Sequence, residues 1–145
     1  MIRIDVQQFL KSRQNRDTLL DRIQTTVLRE LKREFPQCLD LEEETDLQMA
    51  LNEVYLGTGE GFIFIIDEWD CVFRIAQDDL TLQKDYLDFL RSIFKGAVYT
   101  ELVYMIGILP IKKYVENSAI NMFEEYSVVD PDELKEFFGF TEEEV

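Results

Sequence analysis

The chain has 145 residues and a mass of 17.2 kDa, the size of a single domain. Apolar residues at 46% and charged residues at 31% supply a packed core and exclude global disorder. A formal charge of −15 and the absence of histidine oppose binding to nucleic acid or to anionic membrane and exclude every His-based catalytic or metal site.

Ile2, Ile4 and Val6 alternate with Arg3 and Asp5, which predicts a short strand with one buried face. Asp17 or Thr18 can cap a helix that runs to about Phe35 and turns Leu20, Ile23, Val27 and Leu31 inward, with Pro36 ending it. The acidic stretch from Asp40 to Asp46, including Glu42-Glu43-Glu44, reads as a solvated connector. A second helix is expected from about Asp46 to Leu56. It stops at Gly57-Thr58-Gly59-Glu60-Gly61. Here the order is helix, glycines, strand, and no Lys follows, so these glycines fit a turn and not a phosphate loop.

Phe62-Ile63-Phe64-Ile65-Ile66 is an unbroken apolar run, the pattern of a strand covered on both faces in a parallel sheet. Asp67-Glu68-Trp69-Asp70 follows at once. After a loop holding Asp78 and Asp79, a helix is expected from about Thr81 to Lys95, with Leu82, Tyr86, Leu90, Ile93 and Phe94 on its apolar side and Gly96 at its end. Leu102 to Leu109 is the third strand candidate, closed by Pro110 and the basic pair Lys112-Lys113. Further on, Asp130-Pro131-Asp132-Glu133 carries a helix-start signature of cap, first-turn Pro and Glu three residues after the cap, and Thr141-Glu142-Glu143-Glu144 repeats it.

Strands alternating with helices predict an α/β fold: a parallel sheet of about three strands flanked by helices and joined by right-handed crossovers. The start on a strand and the stop at a helix cap read as a piece of a longer fold. Two cysteines, Cys38 and Cys71, are too few for a disulfide framework or a four-Cys zinc site. The longest apolar runs are far below the roughly 20 residues of a spanning helix, and the N-terminus lacks a signal-peptide pattern, so a cytoplasmic protein is expected.

The sharpest chemical signal is Asp67-Glu68 at the end of the apolar run. Ligands of open parallel sheets bind outside the carboxyl ends of the strands. Apolar residues followed by Asp-Glu form a Walker B pattern. Asp67 would hold Mg²⁺ beside nucleotide phosphates, and Glu68 would polarise the attacking water as the catalytic base. The same pair also suits a strand end that caps the next turn. Asp70 is either a supporting cofactor-binding group or a loop residue. Trp69, Phe73 and Cys71 read as packing residues.

Phe62 to Asp70, with Val72-Phe73-Arg74 behind it, resembles the Walker B block of the bacterial AAA-ATPase-like family. Tyr104 to Tyr114, Ser118 to Phe123 and Gly139 to Val145 resemble three further blocks in family order, spanning nearly the whole chain. The resemblance implies a partial P-loop-NTPase-like three-layer sandwich, with Mg²⁺ and ATP as cofactors of the intact family and a nuclease-like domain in many members. The family's phosphate loop has no counterpart here, since no Gly-x-x-x-x-Gly-Lys-Ser/Thr occurs in the sequence. Ile106 stands where the family pattern carries a Thr, and it cannot hydrogen-bond phosphate or water. Lys112 and Lys113 could approach phosphate and equally suit a surface.

The resemblance therefore implies a central slice of the module: an ATPase-like unit not competent for hydrolysis by itself. A different expectation is a non-enzymatic interaction protein. The resemblance places a missing strand beside the Tyr104–Leu109 strand, which would leave an exposed sheet edge for self-association or a partner chain. An acidic mimic of nucleic acid is a further reading of the charge, against plain solubilising surface.

Overall fold

The alternating start of the chain forms β1 (Ile2–Asp5) and leads through a 3-10 turn at Val6–Phe9. The computed structural model describes residues 1–10, 16–39, 45–110 and 122–126. The Glu42–Glu44 run, Lys112 and Lys113, and the helix-start signals at Asp130 and Thr141 lie outside these residues, as do most of the Ser118–Phe123 block and all of the last one. Helices α1 (Leu19–Glu34) and α2 (Leu47–Thr58) follow, then β2 (Phe62–Asp67), a short helix α3 (Cys71–Ile75), α4 (Leu80–Phe94) and β3 (Thr100–Met105).

Each long helix buries the stripe that its 3.6-residue period sets out: Leu19, Ile23, Val27, Leu28 and Leu31 on α1, Leu47, Ala50, Leu51 and Val54 on α2, and Leu82, Tyr86, Leu90, Ile93 and Phe94 on α4. Their starts differ chemically. Asp46 accepts a hydrogen bond from the Met49 N–H, and Asp79 accepts one from the Leu82 N–H, so both are working N-caps. Thr18 precedes α1 without a side-chain cap bond. Gly59 ends α2 in the left-handed region at φ +73° and donates to the Tyr55 carbonyl, which makes the glycine-rich stretch a helix terminator leading into β2.

Among the described residues the sheet is open, three-stranded and fully parallel, in the order β1-β2-β3. This is the α/β architecture expected. In that order both connections step in the same direction across the sheet, and right-handed crossovers then lay their helices on the same face. Burial follows. Ile2, Ile4, Phe62, Phe64 and Ile66 are buried in one core with α1, α2 and α4. The rings of Phe64 and Phe94 meet edge to face at 5.0 Å, a geometry that adds to the burial of both.

The opposite face corrects one expectation. The apolar run Phe62–Ile66 is not covered on both sides among the described residues. Ile63 is 43% exposed, and in register with it on β3 Leu102 is 53% and Tyr104, opposite Ile65, 41% exposed. Toward β1 this face turns polar, where Arg3 of β1 pairs with Asp67 at the end of β2. β3 is also shorter than its sequence suggests. It ends at Met105, because residues after it leave the ladder for the turn that follows β2. None of the described helices is long and apolar enough to cross a membrane.

Candidate functional site

The carboxyl ends of the three strands carry an acidic turn. β1 ends at Asp5 and β2 at Asp67, and these two residues are register partners. Glu68 follows at φ +53°, the one described non-glycine residue in the left-handed region. For a side chain with a Cβ this costs roughly 1–2 kcal/mol. Local bonds hold it there. The Glu68 N–H donates to Asp67 Oδ1 at 3.1 Å, and its carboxylate is ion-paired with Arg74.

The sequence-predicted residues lie side by side and are already engaged. Asp67 Oδ2 accepts from Arg3 Nη2 at 3.0 Å; the Arg3 side chain is 65% exposed. Glu68 shares Arg74 with Asp70. Asp70 is fully buried, and a carboxylate taken wholly out of water must be met by donors. Arg74 Nε donates to its Oδ2 at 3.0 Å, and the backbone N–H groups of Ile108 and Leu109 donate to the same oxygen at 3.2 and 2.9 Å. Partial burial works against the Arg74 charge, but hydrogen bonds and attraction from Asp70 and Glu68 outweigh it and hold its pKa above the usual value.

Asp70 thus ties the exit of β3 to the turn after β2. Two backbone bonds complete the tie: Ile106 N–H to the Ile66 carbonyl at 2.8 Å, and Trp69 N–H to the Ile106 carbonyl at 3.1 Å. The approach is so close that a Cβ on Gly107 would meet Trp69 and Asp70 atoms at 2.5–2.7 Å. Only glycine fits there. Trp69 and Phe73 are buried with ring centroids 5.7 Å apart, so their packing seals the underside of the turn. Cys71 beside them is buried, and burial pushes its thiol up to about 12 against a weaker pull from Arg74. Such a thiol is inert as a nucleophile at neutral pH.

Three participants escaped the sequence reading. Asp5 joins the rim through strand register, and its Oδ1 is buried with no hydrogen-bond partner among the described residues while Oδ2 accepts from Gln8 at 2.8 Å. It lines an open cleft of about 540 Å³ with Gln7, Gln8, Leu10 and Ile75. Arg3 reaches Asp67 across 64 positions of sequence, a pairing with no local signal. Arg74 had one: Asp70-x-x-x-Arg74 is the i,i+4 spacing of an ion pair on a helix. Among the described residues no group of three or more Cys, Asp or Glu side chains is placed to hold a metal ion. Comparison with protein-family models, with curated proteins and with solved structures finds no match to the chain.

Two outcomes follow from this geometry. Asp70→Ala strips the acceptor from two backbone N–H groups and from Arg74, and is expected to lower stability by about 1–3 kcal/mol for each buried group left unpaired. Gly107→Ala shifts stability in the same direction, and unchanged urea midpoints in both variants would show that the tie carries no stability. The second outcome concerns alkaline pH. The Cys71 pKa is raised on folding from 9.0 to about 12, so the folded chain holds a proton that the unfolded chain releases. That contribution is intact below pH 9.0 and is lost as pH climbs toward 12. Tyr99, raised by burial from 10.0 to about 12, acts with the same sign. Urea midpoints should therefore fall across this window, and Cys71→Ala should make the fall shallower.

Proposed function

We propose that the chain is an ATPase-like nucleotide-binding module that cannot hydrolyse ATP by itself. One observation carries the reading: Asp67 and Glu68 stand at the carboxyl end of the central strand of a parallel sheet, the position where such sheets bind ligands. The resemblance of Phe62–Asp70 to a Walker B block supports it. Asp67 is the metal-side carboxylate of this reading, and Glu68 the group that would polarise water. Asp70 serves the site by holding the β3 exit loop beside them.

The donor set suits the cofactors unequally. Carboxylate oxygens are the hard ligands Mg²⁺ prefers, and Mg²⁺ commonly takes only one or two of them, with phosphates and waters filling its remaining positions. Asp67 fits that part. The phosphates themselves lack a cradle. The glycine-rich stretch at 57–61 lies before β2, at the opposite end of the strand from Asp67, and no loop of Walker A sequence is present. Asp67 and Glu68 are meanwhile neutralised by Arg3 and Arg74, so a cation must displace guanidinium groups to bind.

A second reading has its own support. Among the described residues β3 has a strand neighbour on one side only, and none of its six residues is fully buried. An apolar edge strand of this kind accepts another strand. In this reading the module is an interaction or oligomerisation domain that takes a partner strand at β3.

Titration of a fluorescent ATP analogue into the chain, with and without Mg²⁺, separates the two. The nucleotide reading expects weak binding, on the order of millimolar, that needs Mg²⁺ and is lost in Asp67→Asn. Binding that ignores both Mg²⁺ and Asp67 would refute it. The interaction reading expects light scattering to report association that deepens with concentration and ignores nucleotide; a monomer at every concentration counts against it.

A further inference from the structure

Arg74 stands between two carboxylates and divides its donors between them. Its Nε donates to Asp70 Oδ2 at 3.0 Å, while Nη2 donates to Glu68 Oε2 and lies 3.4 Å from Asp70 Oδ1. A guanidinium can close a two-bond fork on one carboxylate, which is the stronger arrangement. Here that fork is half made. Nε is closed on Asp70, and Nη2 is drawn toward Glu68.

The loop after β3 accounts for the division. Asp70 has no exposure to water, so its charge must be met by donors of the protein. The N–H groups of Ile108 and Leu109 supply two of them, both to Oδ2. With those bonds in place Asp70 asks less of Arg74, and Nη2 is left to Glu68. Without them the buried carboxylate is short of donors. Closing the full fork is then the nearest repair, because Nη2 has only to shorten a 3.4 Å contact.

Glu68 registers which arrangement holds. It is the one described non-glycine residue in the left-handed region, at φ +53°. A residue with a Cβ disfavours this conformation and keeps it only where its surroundings enforce it. Arg74 holds the Glu68 carboxylate, and Asp67 Oδ1 accepts from the Glu68 N–H at 3.1 Å. Once Nη2 leaves, the side-chain hold is gone and the backbone is released toward an ordinary conformation.

We propose that Asp70 and Arg74 relay the state of the β3 exit to Glu68. Loop donors on Asp70 leave Nη2 on Glu68 and keep that residue left-handed. A loop drawn off Asp70 brings Nη2 across and frees Glu68. The relay has two discrete arrangements that both ends bias, which is the physical basis of coupling between two places. It links the acidic turn to the β3 edge, so a partner that shifts the β3 exit also re-aims the Glu68 carboxylate. The relay stands on this geometry, and only its consequence for water polarisation rests on the nucleotide reading.

Coupling is reciprocal, so NMR of the full chain tests it from both ends. Nucleotide is absent throughout, and a chain that fails to bind ATP can still show the relay. At one end, Glu68→Gly removes the carboxylate and suits the left-handed backbone. Nη2 then closes on Asp70, and the Ile108 and Leu109 amides are expected to exchange with solvent about fivefold faster or more, while amides of α4 keep their rates. At the other end, Leu109→Pro deletes one donor to Asp70, and the Glu68 Cα and amide signals are expected to leave their left-handed positions. Asp79→Ala, which removes the cap bond of α4 and touches no member of the relay, is expected to leave those signals in place. Unchanged or slower exchange at Ile108 and Leu109 in Glu68→Gly overturns the proposal. So do Glu68 signals that stay put in Leu109→Pro, or that move as far in Asp79→Ala.

Discussion

A carboxylate with no exposure to water sits at the join of this molecule. Asp70 is stable as a buried group only because Arg74 and two backbone N–H groups meet it. Those donors come from α3 and from the loop after β3, so satisfying one charge fixes three pieces of chain together. Trp69 N–H bonding to the Ile106 carbonyl and the bare Cα of Gly107 extend the same contact. The exits of β2 and β3 therefore form one rigid rim. Any chemistry at Asp67 and Glu68 takes place on a platform that Asp70 holds in shape.

Topology divides the molecule in a second way. Strand order β1-β2-β3 with parallel pairing sends the crossovers to one side of the sheet. That side gains α1, α2 and α4 and a continuous core from Ile2 to Tyr99. The other side has apolar residues on β2 and β3 and an Arg3–Asp67 pair on the β1 side. The polar margin and the apolar patch belong to the same pleated face, because side chains alternate with period two along each strand. The acidic rim and the open face are thus neighbours, joined through Asp67.

The long elements were legible because their signals are local. The stripes of α1, α2 and α4 repeat at helical spacing, and Gly59 and Pro36 mark ends within a residue or two. β2 was legible as a strand, but its environment was not. Ile63 and Ile65 look like core residues, and whether a second layer covers them depends on topology, which no five-residue window encodes. α3 escaped because five residues give too little periodicity to detect. The end of β3 was misjudged for a tertiary reason. Gly107-Ile108-Leu109 extends an apolar strand pattern, yet Asp70, 38 positions earlier, draws Ile108 off the ladder. The position of Asp67 and Glu68 at a strand end was readable, whereas the arginine that neutralises Asp67 was not, since Arg3 lies 64 positions from its partner.

Arg3 and Arg74 make the acidic turn asymmetric. Arg3 is an exposed side chain on an edge strand, and such a pair contributes little to stability and yields easily to a competing cation. Arg74 is different. It serves Glu68 and the buried Asp70 at once, so pulling it away would leave an uncompensated charge in the interior. Asp67 is therefore the carboxylate that can exchange its partner, and Glu68 the one that is held. A cation arriving at the rim meets one carboxylate that can exchange its arginine and one that cannot. What the turn can bind is set less by the number of its carboxylates than by which arginine each must release.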